Sequence, residues 1–193
     1  DRSAAGLVPA LRWRLGGGGK GHQDRVRRVG FSPSAGLLAS AGFDGTARIW
    51  DLAKGEEICT LALTPDLQPC TQNGSLDCPV IYQALFAPHC DWLLTASNDS
   101  WHPVLLWDLR SCAPLGKELP VDSSAGSIRA AALARDQEGE VWVASGAENG
   151  WGQVLRVDAQ GQWTEVCAGP WHKNTIQDLA FSPDARHLAT ASE

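Results

Sequence analysis

Residues 26 to 51 read V-R-R-V-G-F-S-P-S-A-G-L-L-A-S-A-G-F-D-G-T-A-R-I-W-D, and this stretch decides the fold class. Short apolar runs alternate with residues that favour turns, and no run has helical spacing. Asp44-Gly45 predicts a tight hairpin, since both residues tolerate a positive φ. With the run that follows Lys54-Gly55, the pattern predicts four short antiparallel strands, over residues 26–31, 37–42, 46–50 and 57–63.

The same pattern recurs three more times, in copies that begin at Ile81, Ile128 and Ile176. The equivalent positions of the four copies are 55, 47 and 48 residues apart: Phe31, Phe86, Leu133 and Phe181. Four-stranded units repeated at about this period are typical of β-propeller blades. We therefore predict an all-β chain and a β-propeller of four-stranded antiparallel blades.

The repeat divides the whole sequence, residues 1–193. We expect an outer strand of a preceding repeat in residues 1–15, and repeats over 21–63, 77–121, 124–167 and, in part, 171–193. The expected propeller is incomplete, with about three full blades and partial blades at both ends. Because the sequence contains no Met and stops in mid-pattern, we expect a fragment of a longer protein.

Gly21-His22 followed by Trp50-Asp51 resembles the signature of the WD40-repeat family. That family locks each blade with a hydrogen-bonded network of a His, a Ser or Thr, an Asp and a Trp. The resemblance implies a structural network at ten positions: His22, Ser40, Asp44 and Trp50, then Thr95, Asp99 and Trp107, then Ser145, then His172 and Thr190.

The later copies depart from this pattern. Asp77 stands in place of the His in the second copy. In the third, Ser124, Asn149 and Val157 stand in place of the His, the Asp and the Trp. We therefore expect the third blade to be the most loosely held.

The composition is that of an ordinary globular protein, and the net charge of -6 argues against a general nucleic-acid binder. No apolar run is long enough to span a bilayer. Basic residues are nevertheless concentrated in the first 30 positions, where seven Lys or Arg face two Asp. They either form solvated strand edges or make a local patch for an acidic partner.

Residues that could perform chemistry are few. His22, Ser40 and Asp44 superficially resemble a catalytic triad, but the family resemblance assigns them to the blade network. His89-Cys90-Asp91 lacks ligand spacing for a metal, so we expect no metal and no cofactor.

The six cysteines include no C-x-x-C pair. Cys59 and Cys167 lie in apolar, strand-like sequence and are expected to be buried free thiols. Cys70 and Cys78 share one loop and could pair in an oxidising compartment.

Tryptophans supply a candidate binding surface. Copies two and three each contain two residues more than the first copy. We identify these extra residues as Trp101-His102 and Trp151-Gly152, in the hairpin between the second and third strands of each copy. Trp171 lies on a loop expected at the same face. These residues either form an exposed rim that anchors a partner, or fold back as plugs over their own blades.

We expect a protein–protein interaction scaffold or sensor module with no catalysis of its own, whose partners are other proteins. The alternative is a substrate receptor of a cullin-type ubiquitin ligase, through the W-D-x-R motif of Trp107, Asp108 and Arg110. A propeller enzyme is a third hypothesis, and no carboxylate pair or activated nucleophile supports it. We expect a cytoplasmic location, with the nucleus as the other possibility.

Overall fold

The computed structural model describes residues 15–16, 21–33, 36–63, 79–88, 91–99, 103–115, 119, 121 and 125–193. Every regular element in these ranges is a β-strand, and no helix among them could cross a membrane. The outer strand predicted within residues 1–15 falls, apart from Leu15, outside the described residues. The strands are β1 (Val26–Phe31), β2 (Leu37–Gly42), β3 (Thr46–Asp51), β4 (Glu56–Ala62), β5 (Ile81–Phe86), β6 (Trp92–Ser97), β7 (Val104–Asp108), β8 (Ala113–Pro114), β9 (Ile128–Arg135), β10 (Val141–Ala147), β11 (Trp151–Val157), β12 (Trp163–Pro170), β13 (Ile176–Phe181) and β14 (Leu188–Ser192).

The strands form three four-stranded antiparallel sheets and one two-stranded sheet, each in simple chain order. We call them blade 1 (β1–β4), blade 2 (β5–β8), blade 3 (β9–β12) and blade 4 (β13–β14). The first strands of successive blades contact one another, β1 with β5, β5 with β9 and β9 with β13. The prediction of an incomplete propeller of four-stranded antiparallel blades is confirmed.

The core lies between blades rather than within one. One apolar cluster joins blades 1 and 2, a second joins blades 2 and 3, and a third joins blades 3 and 4. In β7, Val104 and Leu106 face blade 3, while Leu105 and Trp107 face blade 1. Successive side chains of a strand point to opposite faces, so a blade with two neighbours needs apolar residues on both.

A β-bulge recurs at the start of each inner strand. Val26 pairs with Gly42 and Arg28 with Ala41, so Arg27 has no partner across the sheet. The corresponding unpaired residues of the other three blades are Tyr82, Arg129 and Gln177. A bulge re-aims the side chain of its extra residue. Four blades therefore present one re-aimed side chain each.

The third repeat differs from its predicted alignment. Ser40 pairs with Arg48 in blade 1 and Ser145 with Gln153 in blade 3, an equal separation of eight residues. The prediction of a two-residue insertion in the blade 3 hairpin is therefore wrong.

The extra residues of blade 3 extend its sheet at the opposite end, where Val141 pairs with Val157. By this register Leu155, not Val157, takes the place of Trp50. The insertion is present in blade 2, where Thr95 pairs with Leu105, ten residues away.

The cysteine expectations are corrected at two positions. Cys59 on β4 forms a disulfide with Cys112, with 6.0 Å between the Cα atoms, because blade 1 stacks its outer strand against the turn that precedes β8. Cys167 is an exposed free thiol, because it lies on the largely exposed outer strand β12. Cys70 and Cys78 lie outside the described residues.

Candidate functional site

Blade 1 contains a continuous hydrogen-bonded chain of four side chains. Trp50 Nε1 donates to Ser40 Oγ at 2.9 Å, and Ser40 Oγ lies 2.8 Å from His22 Nε2. His22 Nδ1 lies 2.9 Å from Asp44 Oδ1. With the proton on Nδ1, every donor in this chain meets an acceptor. The four residues named from the family resemblance therefore meet at one buried site, which we call the blade 1 clasp.

Asp44 is the charged end of the blade 1 clasp and has no exposed surface. Burial opposes ionisation of its carboxyl group, but hydrogen bonds from His22, the Gln23 amide and Thr46 outweigh that effect. Together with attraction to His22, these bonds lower the pKa of Asp44 to about 2. The carboxylate therefore stays ionised at neutral pH and ties the loop before β1 to the β2–β3 hairpin.

Two further residues, Thr46 and Gly42, contact the blade 1 clasp and were not predicted from the sequence. Thr46 Oγ1 donates to Asp44 Oδ1 at 2.8 Å. A Cβ on Gly42 would lie 2.9 Å from His22 Nδ1 and 3.0 Å from the Arg25 carbonyl oxygen, so a larger residue would displace the imidazole. In the sequence, Thr46 is marked only by its position directly after Asp44-Gly45. A polar residue next to a turn is common, so that position does not indicate a bond to Asp44.

Blades 2 and 4 hold parts of the same arrangement. Trp107 Nε1 donates to Thr95 Oγ1 at 2.9 Å, and both residues are buried. His172 Nε2 lies 2.7 Å from Thr190 Oγ1. Asp99 is half-buried in blade 2, and Asp77 lies outside the described residues.

No such chain is present among the described residues of blade 3. Ser145 is fully buried, and its hydroxyl has no hydrogen-bond partner in the described ranges. Gln153, opposite it on β11, is also buried, and neither its amide nitrogen nor its amide oxygen has a partner. Ser124 lies outside the described residues. The position equivalent to Trp50 holds Leu155, which offers no indole N–H to bond the serine.

The described tryptophans of the predicted rim are half-buried and contact apolar side chains. Trp151 packs against the cluster between blades 2 and 3, and Trp171 against the cluster between blades 3 and 4. A Cβ on Gly152 would overlap the Trp171 ring, so the indole lies directly on that glycine. Trp101 and His102 lie outside the described residues. For Trp151 and Trp171 these contacts favour the plug alternative.

The W-D-x-R motif is divided between interior and surface. Trp107 is buried, with 1% of its surface exposed, whereas Asp108 ends β7 and Arg110 lies on the β7–β8 turn. Asp108 accepts hydrogen bonds from the Arg110 amide and the Ser111 hydroxyl, which lower its pKa. The exposed Arg110 guanidinium contacts Asp91 at 2.6 Å.

The β7–β8 turn borders a cleft of about 710 Å³ between blades 2 and 3. Its lining includes the apolar residues Leu115, Val141 and Val157 as well as Asp108 and Arg110. The part of chain that the structure describes contains no cluster of His, Cys, Asp or Glu that could hold a metal ion.

Three comparisons place this geometry among known proteins. The family model for "WD domain, G-beta repeat" matches residues 16–51 and 164–193. The small ribosomal subunit protein RACK1z of Oryza sativa subsp. japonica is 33% identical over 108 residues, which are 54% of this chain and 27% of that protein. RACK1 of Caenorhabditis elegans is 31% identical over 142 residues, or 71% of this chain and 37% of that protein. The crystal structure of the mitotic checkpoint complex contains a similar chain, with a TM-score of 0.66 and 19% identity over 90% of this chain and 48% of that one.

Repeated four-stranded blades, with the clasp complete in blade 1 and present in part in blades 2 and 4, define a β-propeller built from sequence repeats. The chain belongs to the WD40-repeat family, as the family match and the two relatives show. It spans only about a third of the length of those relatives or less.

Proposed function

We propose that the chain is the interaction surface of a protein scaffold and performs no catalytic step of its own. The blade 1 clasp carries this proposal. Ser40 is only 5% exposed, and its hydroxyl already bonds both His22 and Trp50. A nucleophile must reach its substrate, and here the triad-like residues hold strands together instead.

The relatives support a scaffold role. Both RACK1 proteins are named as proteins of the small ribosomal subunit, which is an assembly of many macromolecules. We propose for this chain a role as one component of a larger assembly, but we do not propose that the assembly is the ribosome. Other proteins are the proposed partners, and the cytoplasm is the proposed location.

Affinity capture followed by chemical cross-linking tests this proposal. The tagged chain, expressed in cells, should retain one or a few proteins in near-stoichiometric amounts, cross-linked to exposed residues of the blades. A matched Asp44→Ala chain, with the blade 1 clasp broken, should lose cross-links at blade 1 before those at blade 3. Recovery of no stoichiometric protein would overturn the scaffold assignment.

A role as a cullin-ligase substrate receptor is a second proposal. It is supported by the exposed Arg110 and the half-buried Asp108, which both line the cleft between blades 2 and 3. The propeller adaptor of such a ligase should then bind the chain. Arg110→Ala should abolish that binding, whereas Arg156→Ala, on an exposed arginine of β11, should leave it unchanged. Equal binding by both variants would contradict this role.

A further inference from the structure

A cleft of about 430 Å³ opens where the starts of the four inner strands converge. It is lined by the four residues that the recurring bulge leaves unpaired, one from each blade: Arg27, Tyr82, Arg129 and Gln177. The bulge therefore brings together side chains that lie about 50 residues apart in the sequence. The chemistry of the cleft depends on which residue each blade supplies at this position.

The two cations that blade 1 supplies are available to a ligand. Arg27 and Arg28 are exposed, and neither guanidinium group makes a hydrogen bond or ion pair with another residue in the described ranges. Arg129, by contrast, is held by Glu148 and lies over the Tyr82 ring, with 4.4 Å from its guanidinium carbon to the ring centroid. The cleft thus has one neutralised arginine and two free ones.

The wall of the cleft also contains a buried acceptor. Gln83 follows the blade 2 bulge, is 7% exposed, and its Oε1 has no hydrogen-bond partner. A buried acceptor without a hydrogen bond destabilises the protein, and a ligand N–H would relieve that destabilisation. A peptide backbone carries such a donor at nearly every residue.

We propose that this cleft binds an acidic peptide segment of a partner protein. Carboxylates of the segment pair with Arg27 and Arg28, and a backbone N–H donates to Gln83 Oε1. Asp178, on the blade 4 side, repels carboxylates and so restricts them to the blade 1 side. The proposal rests on the scaffold function and names the class of ligand that one of its surfaces takes.

A peptide fits this site better than a nucleic acid does. The chain carries a net charge of -6, and its repulsion of an anionic ligand increases with the number of charges on that ligand, so it opposes a long polyanionic backbone more than a short acidic segment. The cleft itself includes the carboxylates of Glu148 and Asp178. A short acidic segment needs to pair only with the two arginines of blade 1.

Fluorescence anisotropy with labelled hexaglutamate tests the proposal, with labelled hexaglutamine as the neutral probe. Hexaglutamate should bind at least about tenfold more tightly, and its affinity should fall as salt is added. Arg27→Gln with Arg28→Gln should weaken binding about tenfold or more, because charge-assisted contacts are lost. Gln83→Leu should weaken it less and leave the salt dependence unchanged.

The matched control is Arg156→Gln with Arg186→Gln, which makes the same change in charge on exposed residues away from the cleft. It should alter the affinity by less than about twofold. Far-UV circular dichroism of each variant should retain the strand signal. If both arginine pairs weaken binding equally, or if hexaglutamine binds as tightly as hexaglutamate, the cleft is not the site.

The capture experiment separates this proposal from the scaffold function. If the unaltered chain captures partner proteins and the Arg27→Gln, Arg28→Gln double variant captures all of them equally well, the cleft proposal is wrong and the scaffold role stands. If the unaltered chain captures no partner, the scaffold role fails, whatever affinity the chain has for hexaglutamate.

Discussion

Gln153 lies directly opposite Ser145 in the β10–β11 pairing, and both side chains are buried with unpartnered polar atoms. In blade 1 the corresponding pair is Arg48 and Ser40, and Ser40 is fully bonded within the clasp. Blade 3 therefore keeps the serine of the family network without the residues that would satisfy it.

Replacing Ser145 by Ala together with Gln153 by Leu should stabilise the chain. Each unsatisfied buried group costs about 1–3 kcal/mol, and apolar residues of similar size remove that cost. Urea denaturation should show a higher free energy of unfolding for the double variant. Ser40→Ala is the matched control and should lower it. A loss of stability in the blade 3 variant would show that these polar atoms are bonded in solution.

Breaking the blade 1 clasp should destabilise the protein without removing any reaction. His22→Ala and Asp44→Ala should each lower the free energy of unfolding by about 1–3 kcal/mol, since each leaves a buried partner unsatisfied. The double variant should lower the free energy of unfolding by much less than the sum of the two single losses, because both residues belong to one chain of hydrogen bonds. Thermal melting of the single and double variants checks this, and unchanged melting temperatures would contradict the clasp.

Asp44 should make stability depend on pH in acid. Its pKa falls from an ordinary 3.8 to about 2 on folding, so the ionised carboxylate favours the folded state. That contribution, about 2 kcal/mol, is complete above pH 3.8 and is lost as the pH falls toward 2. Asp44→Asn should lack this part of the acid dependence. Urea titrations between neutral pH and pH 2 measure the difference, and parallel curves would contradict it.

Trp171 and Gly152 should act as one packed unit. Trp171→Ala should lower the free energy of unfolding by roughly 2–3 kcal/mol, below the range for a fully buried tryptophan. Gly152→Ala should also destabilise, because its Cβ would meet the indole ring. In the Trp171→Ala background, Gly152→Ala should lower the free energy of unfolding far less than it does in the unaltered chain. If Trp171→Ala leaves melting unchanged and only weakens partner binding, the rim interpretation is correct instead.

The Cys59–Cys112 disulfide should stabilise the contact between blades 1 and 2. It closes a sequence separation of 53 residues, and a loop of that length corresponds to about 4 kcal/mol in the chain-entropy treatment. Reductant should therefore lower the melting temperature of the oxidised chain, as should Cys59→Ala with Cys112→Ala. Cys167→Ser, on an exposed thiol, should not.

The compartment decides whether this bond forms in a cell. A reducing cytoplasm keeps thiols reduced, so the two cysteines would be free there. Thiol labelling of protein rapidly quenched from cells measures the state directly. Failure of the purified, air-oxidised chain to protect Cys59 and Cys112 would contradict the pairing.

The blade strands and the blade 1 clasp were predictable because their signals are local. The sequence from Phe31 to Trp50 alternates residues that favour strands with residues that favour turns, and Asp44-Gly45 fixes the position of the hairpin. His22, Ser40, Asp44 and Trp50 stand at the spacing of a known family. Two neighbouring strands joined by a short turn can pair in only a few registers. The number of residues between the strands therefore nearly determines the register.

The third blade shows where this reasoning ends. Between Ser145 and Asp158 the sequence holds two more residues than between Ser40 and Asp51, and a count cannot say whether they lengthen the hairpin or the strands. The pairing of Val141 with Val157 assigns them to the strands. Trp151 therefore lies in a position that the sequence alone did not indicate.

The sequence by itself determined the all-β class, the blade repeat and the clasp of blade 1, because these depend on residues close together in the chain. Only the tertiary structure decided the Cys59–Cys112 pairing, the contact of Trp171 with Gly152 and the cleft lined by Arg27, Tyr82, Arg129 and Gln177. Each of these joins different blades. Their geometry depends on how whole sheets stack and where a bulge turns a side chain, which residue spacing does not encode.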